Sequence, residues 1–144
     1  MTSYRERLSP SWWMILAVGL VVPATLLIFL PLNPLTGAVV GVVLWGGSIG
    51  ILWFFSPVIT VVDGVLRVGG ATLEPQYRGE IGAYLGDDAR RERGPGADGR
   101  AWLSLRPWVD PVLKIHLTDP DDPTPYWLIS TRRPDELKTA LQTT

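Results

Sequence analysis

The chain has 144 residues, a formal net charge of −1, 47% hydrophobic residues and no cysteine. These values exclude fibrous and disordered classes, and the missing cysteine excludes disulfides, thiolate metal sites and a cysteine nucleophile while leaving the compartment open. The charges are unevenly distributed: Leu8 to Val62 contains no Asp, Glu, Lys or Arg, and apart from Arg5, Glu6 and Arg7 every charge lies in residues 63–144. Such a split implies a lipid-facing part and a water-facing part. From Pro57 onward thirteen acidic residues stand against eleven Lys and Arg, a balance near −2. A nucleic-acid binder would carry a basic surplus.

Residues 1–11 read as an N-terminal flank. Residues 12–30, "WWMILAVGLVVPATLLIFL", form an uncharged run that as a helix spans roughly 28 Å at about 1.5 Å per residue, enough to cross a hydrocarbon core. Residues 35–55, "LTGAVVGVVLWGGSIGILWFF", form a second, and only "PLNP", residues 31–34, separates them. So short a connection predicts an antiparallel transmembrane hairpin with both chain ends on one side. A cleavable signal peptide is the rival reading of the first run; the run is long for one, and no small-residue cleavage site precedes the second span. Arg5, Arg7 and Arg67 flank the spans while the connecting loop has no charge, so the positive-inside tendency places both termini in the cytoplasm, at the inner membrane of the cell. Trp12 and Trp13 open the first span and Trp53, Phe54 and Phe55 close the second, as an aromatic belt at a shared interface would. Pro23 predicts a kink. Gly37 with Gly41, and Gly46 with Gly50, are two GxxxG spacings that let a helix approach closely. They serve packing within the hairpin, self-association into a homo-oligomer, or contact with a membrane partner. Neither span contains an ionisable residue, which speaks against ion or proton transport.

From residue 57 to 144 the period becomes alternating and predicts a small β domain. Asp63-Gly64 and Gly69-Gly70 signal hairpin turns. Leu66 and Val68 face inward around an outward Arg67. Ile81, Ala83 and Leu85 share a face. Leu103 and Leu105 alternate against Trp102, Ser104 and Arg106, and Leu113, Ile115 and Leu117 against Lys114, His116 and Thr118. The segment from Asp87 begins as one helical turn and becomes a Gly/Pro loop. "PYWLIST" is a last strand, and residues 134–142 a terminal helix: Pro134 suits its first position, Asp135 and Glu136 complement its dipole, and Leu137, Ala140 and Leu141 form one apolar stripe. The fold class expected is therefore an α-hairpin plus six or seven antiparallel strands closed by a C-terminal helix.

That layout resembles a pleckstrin-homology-like barrel or sandwich. The chain as a whole resembles an uncharacterised family of actinobacterial membrane proteins, domain-of-unknown-function family 3093. The residues that carry the likeness are "YRERL" and "WW" (Tyr4 to Leu8, Trp12, Trp13), "GPG" at residues 94–96, "LRPW" at Leu105 to Trp108, and "DPTPYWLISTRRPDEL" at Asp122 to Leu137. The resemblance implies a plasma-membrane setting and no reaction.

No residue pattern points to catalysis or to a cofactor. His116, the single histidine, would need a partner such as Asp110 or Asp119 to act as a base, and otherwise is an exposed strand residue. Asp119, Asp121 and Asp122 lack the spacing of a calcium loop and suit a hairpin turn. Arg90, Arg91, Arg93 and Arg100 make a locally basic loop, offset by Asp87, Asp88, Glu92 and Asp98. Neither Gly69-Gly70 nor "GPG" has the context of a phosphate loop. The strongest candidate is a basic–aromatic patch, Arg106, Trp108, Arg132 and Arg133 with Trp127, able to stack on or fork around an anionic headgroup or an acidic partner segment. The alternative is a structural junction: Tyr126 or Trp127 in the core, Ser130 or Thr131 capping the helix, and the arginines paired with Asp135 or Glu136. The function expected is a membrane-bound scaffold, adaptor or accessory subunit working with another membrane or cytoplasmic protein. A sensor of anionic lipids or small anions comes second and an enzyme third.

Overall fold

A computed structural model describes residues 2–143; Met1 and Thr144, the outer limits of the expected flank and β domain, lie outside the described residues. The chain divides into two compact units, residues 9–56 and residues 2–8 with 57–143.

The first unit is helical. α1 (Trp12–Gly19) and α2 (Val21–Phe29) form one apolar stretch broken at Leu20. The cause is Pro23, which has no N–H to give the carbonyl four residues back at Gly19. A turn at residues 30–33 leads into α3 (Pro34–Phe54), where Asn33 accepts hydrogen bonds from the backbone N–H groups of Leu35 and Thr36 and Pro34 takes the first helical position. α2 and α3 pack where glycine removes the side chain between them. A Cβ on Gly41 would stand 3.1 Å from the Val22 Cα, and one on Gly37 would stand 2.9 Å from the Phe29 Cβ. The Trp45 indole N–H bonds the Ile15 carbonyl, tying α1 to α3. Most apolar side chains of this unit point away from it: only 6% of the first span and 11% of the second is buried.

The second unit contains, among the described residues, eight strands in two sheets. β1 (Thr2–Arg7), β2 (Val58–Val62), β3 (Val65–Val68) and β4 (Ala71–Leu73) form an antiparallel sheet in chain order. Val62 pairs with Val65 across a two-residue turn in which Asp63 and Gly64 both have positive φ, as the Asp-Gly signal requires. After a 3₁₀ turn (Pro75–Tyr77) come β5 (Arg78–Tyr84), α4 (Gly86–Arg93), β6 (Trp102–Ser104), β7 (Val112–Leu117), β8 (Tyr126–Ser130) and α5 (Pro134–Gln142). The second sheet has the order β5-β7-β8-β6.

Of the two expected forms, barrel or sandwich, the closed barrel gives way to two unclosed four-stranded sheets. Residues 57–143 supply seven strands, within the six or seven expected, and β1 adds an eighth from the flank expected to lie outside the β domain. The sheet is also mixed, because β6 runs parallel to β8. One core lies between the sheets and under α5: Ile59, Val61, Leu66 and Val68 meet Leu113, Ile115, Trp127, Ile129, Leu137 and Leu141. A smaller cluster of Ala89, Val112, Tyr126 and Leu128 fills the other face of the second sheet beneath α4. β8 is consequently buried at all five positions, and this two-sided burial is why its sequence is a continuous run and not an alternation.

Two smaller expectations also change. Leu103 is 45% exposed while Trp102 packs on the core. Parallel register aligns Trp102 with Trp127, and their rings stack at 4.2 Å. Leu85 is exposed because it precedes α4 at the N-cap position instead of continuing β5.

Candidate functional site

β1 is the element the sequence conceals. Tyr4, Glu6 and Leu8 alternate inward while Ser3, Arg5 and Arg7 point out. Arg7 pairs with Val58, and the Leu8 N–H bonds the Pro57 carbonyl at 3.1 Å. The chain therefore leaves the β unit for the apolar segment, and re-enters it afterwards, on hydrogen-bonded neighbouring strands.

Glu6 is 6% exposed and organises a junction between the two ends of the chain. One carboxylate oxygen accepts from the Tyr4 hydroxyl at 2.7 Å and from the Thr131 hydroxyl at 2.5 Å; the other accepts from the Arg132 backbone N–H at 3.0 Å. Thr131 accepts in turn from the Arg133 N–H. A buried carboxylate persists only when its oxygens meet donors such as these. Burial is the main cause that raises the Tyr4 phenol above its ordinary value; the neighbouring Glu6 adds to the rise, against a lowering by Thr131.

The basic–aromatic residues come together around this strand. The Arg132 guanidinium reaches the Arg7 carbonyl at 3.4 Å, and that of Arg133 reaches the Arg5 carbonyl at 3.2 Å, pairs with Glu136 at 2.9 Å and lies 5.1 Å from the centre of the Tyr4 ring. The Trp108 indole N–H bonds the Leu8 carbonyl at 3.2 Å. Arg106 turns back to the Leu105 carbonyl, and its backbone N–H bonds the Ser130 hydroxyl. Three of the four patch residues thus hold the N-terminal segment. Tyr126 and Trp127 are both buried. Neither Ser130 nor Thr131 caps α5: the N-cap position falls on Arg133, which makes no side-chain cap bond. The Ser130 hydroxyl accepts the Arg106 N–H, and the Thr131 hydroxyl donates to Glu6 and accepts the Arg133 N–H.

The other candidates have local partners. Asp119 and Asp122 accept backbone N–H bonds two residues ahead, from Asp121 and Thr124. The Thr124 bonds hold the Asp122 carboxyl below its ordinary value. No cluster of three metal-ligating side chains occurs among the described residues. His116 approaches the Glu80 carbonyl at 3.4 Å and leans on the Tyr126 ring. The arginine-rich segment is a two-turn helix, longer than the single turn expected, with Arg90 beside Asp87, Arg91 beside Asp88 and Arg93 on Asp110. Lys114 crosses to Glu92 at 2.8 Å. Burial opposes its charge, yet the carboxylate prevails and its ammonium sits above its ordinary value. Among the glycines, Gly37 and Gly41 contact α2, whereas a Cβ on Gly46 or Gly50 would meet nothing within 4 Å.

No curated protein and no solved structure matches the chain. The family model described as protein of unknown function (DUF3093) matches residues 3–141, nearly the whole length, and the chain belongs to that family.

Proposed function

We propose that the protein is an integral protein of the cytoplasmic membrane, a two-helix hairpin presenting its β unit to the cytoplasm as a non-catalytic interaction module, a scaffold, adaptor or accessory subunit. The observation that carries the reading is the hydrogen-bonded pair Leu8–Pro57, where the apolar segment departs and returns. A β unit that contains both flanks as adjacent strands occupies one side of a bilayer, so the segment between them crosses an even number of times. Its length accommodates two crossings. The exposure of the apolar helices favours lipid over a protein core, and a cleaved signal sequence would remove β1 with Tyr4 and Glu6. The positive flanks Arg5 and Arg7 favour the cytoplasmic side.

Strands followed by a closing C-terminal helix favour a pleckstrin-homology-like origin of the β unit, by analogy of layout alone. The bonds of Trp108, Arg132 and Arg133 to the N-terminal segment favour the adaptor over a lipid reader acting through that patch. The test is a cross-linked pull-down of the full chain from its native membrane. We expect the chain in the carbonate-resistant membrane fraction with one protein co-purifying in fixed ratio; release by carbonate, or the chain alone after cross-linking, would contradict the reading.

A further inference from the structure

A cavity in the β unit lies away from the patch, between the start of β5 and the C-terminal half of α5. It is an open groove of about 570 Å³, lined by Pro75, Arg78, Glu80, Ile81, Lys138 and Gln142, among others, a volume within the range of small-molecule sites. β5 is irregular at this point. Arg78 pairs with Leu117 but Ile81 pairs with Ile115, so the three-residue step from Arg78 to Ile81 opposes a two-residue step on β7. Bulges of this kind re-aim side chains. Gly79 permits it: a Cβ there would stand 3.1 Å from the Thr118 methyl and 3.3 Å from the His116 carbonyl.

Arg78, at the edge of this bulge, is in an unusual state. Its Nη1 is buried and has no hydrogen-bond partner, the one such side-chain atom among the described residues. A guanidinium nitrogen removed from both water and acceptors is costly, and native structures rarely retain one without a reason. Burial correspondingly lowers the Arg78 guanidinium from its ordinary value. Lys138 brings a second cation to the same cavity and Glu80 one carboxylate, so the three charged side chains sum to +1.

We propose that this cavity binds a phosphate group, with Arg78 as the planar fork, Lys138 as the point charge and the remaining volume receiving the organic part of a phosphomonoester. Arg and Lys converging on one concave site suit a phosphate's several oxygens, and Glu80 disfavours more highly charged anions. The site uses none of the patch residues and stands independently of the membrane reading. Its phosphate belongs to a soluble metabolite or to a lipid headgroup.

Titration calorimetry of the full-length protein in detergent micelles, with inorganic phosphate and with glycerol phosphate, tests it. We expect saturable binding that Arg78→Gln and Lys138→Gln each weaken about tenfold or more, and that Arg91→Gln on the exposed face of α4 leaves unchanged. Lys138→Gln keeps the test decisive if Arg78→Gln does not fold. Repeating the titration in nanodiscs separates the sources: a lipid source predicts that phosphatidic acid abolishes the phosphate signal, and a soluble source predicts the same signal with and without it. Absence of saturable binding in every format, or variants that bind like the parent, would overturn the proposal.

Discussion

Glu6 accepts three hydrogen bonds from groups 2 to 126 positions away in the chain, and the Tyr4 hydroxyl is the donor most open to a clean test. Tyr4→Phe removes one bond to a buried carboxylate and should cost about 1–3 kcal/mol of stability at neutral pH. The pH dependence has a definite sign. The Tyr4 phenol is raised in the folded state, so its contribution is complete below the ordinary tyrosine value of about 10. It is lost as pH climbs through the raised folded value. The gap between parent and Tyr4→Phe in denaturant midpoint should therefore be constant from pH 7 to 9 and close above pH 10. A gap that widens with alkali would show that the hydroxyl does not serve Glu6.

At the scale of elements, the two GxxxG pairs make opposite predictions. Gly37→Val and Gly41→Val would drive a side chain into the backbone and Cβ atoms of α2, lowering hairpin stability in detergent by about 1–3 kcal/mol. Gly46→Ala and Gly50→Ala meet open space and should leave the melting temperature of the monomer unchanged. Equal losses at all four glycines would contradict the packing described.

The same scale explains what the sequence discloses. α5 is legible because Pro134, the acidic first turn and the Leu137–Leu141 stripe agree, and Leu137 and Leu141 are indeed buried. The β2–β3 hairpin is legible from Asp63-Gly64. β1 is hidden because a buried Glu6 occupies the middle inward position and breaks the apolar alternation of Tyr4 and Leu8; only the distant Thr131 and Arg132 make that burial tolerable. Pairing across so many residues leaves no local trace. For the same reason Arg132, Arg133 and Trp108 read as a binding patch until the strand they hold is in view, and Arg78 draws no notice because neither the register shift beside it nor the burial of its nitrogen leaves a local sequence signal.

At the scale of the molecule, the apolar segment is a long insertion between two paired strands, β1 and β2, that belong to one sheet. The family match spans segment and sheets together, consistent with a fold in which neither is an appendage. This connection is also the source of the proposed topology, and the cysteine-free chain makes it directly measurable. Single cysteines at Arg5, Leu32 and Asp121, each an exposed position, can be labelled with a membrane-impermeant maleimide in intact cells and in inverted membrane vesicles. In the proposed topology Arg5→Cys and Asp121→Cys react only in inverted vesicles and Leu32→Cys only from outside intact cells; labelling of Arg5→Cys and Asp121→Cys from opposite sides would contradict it.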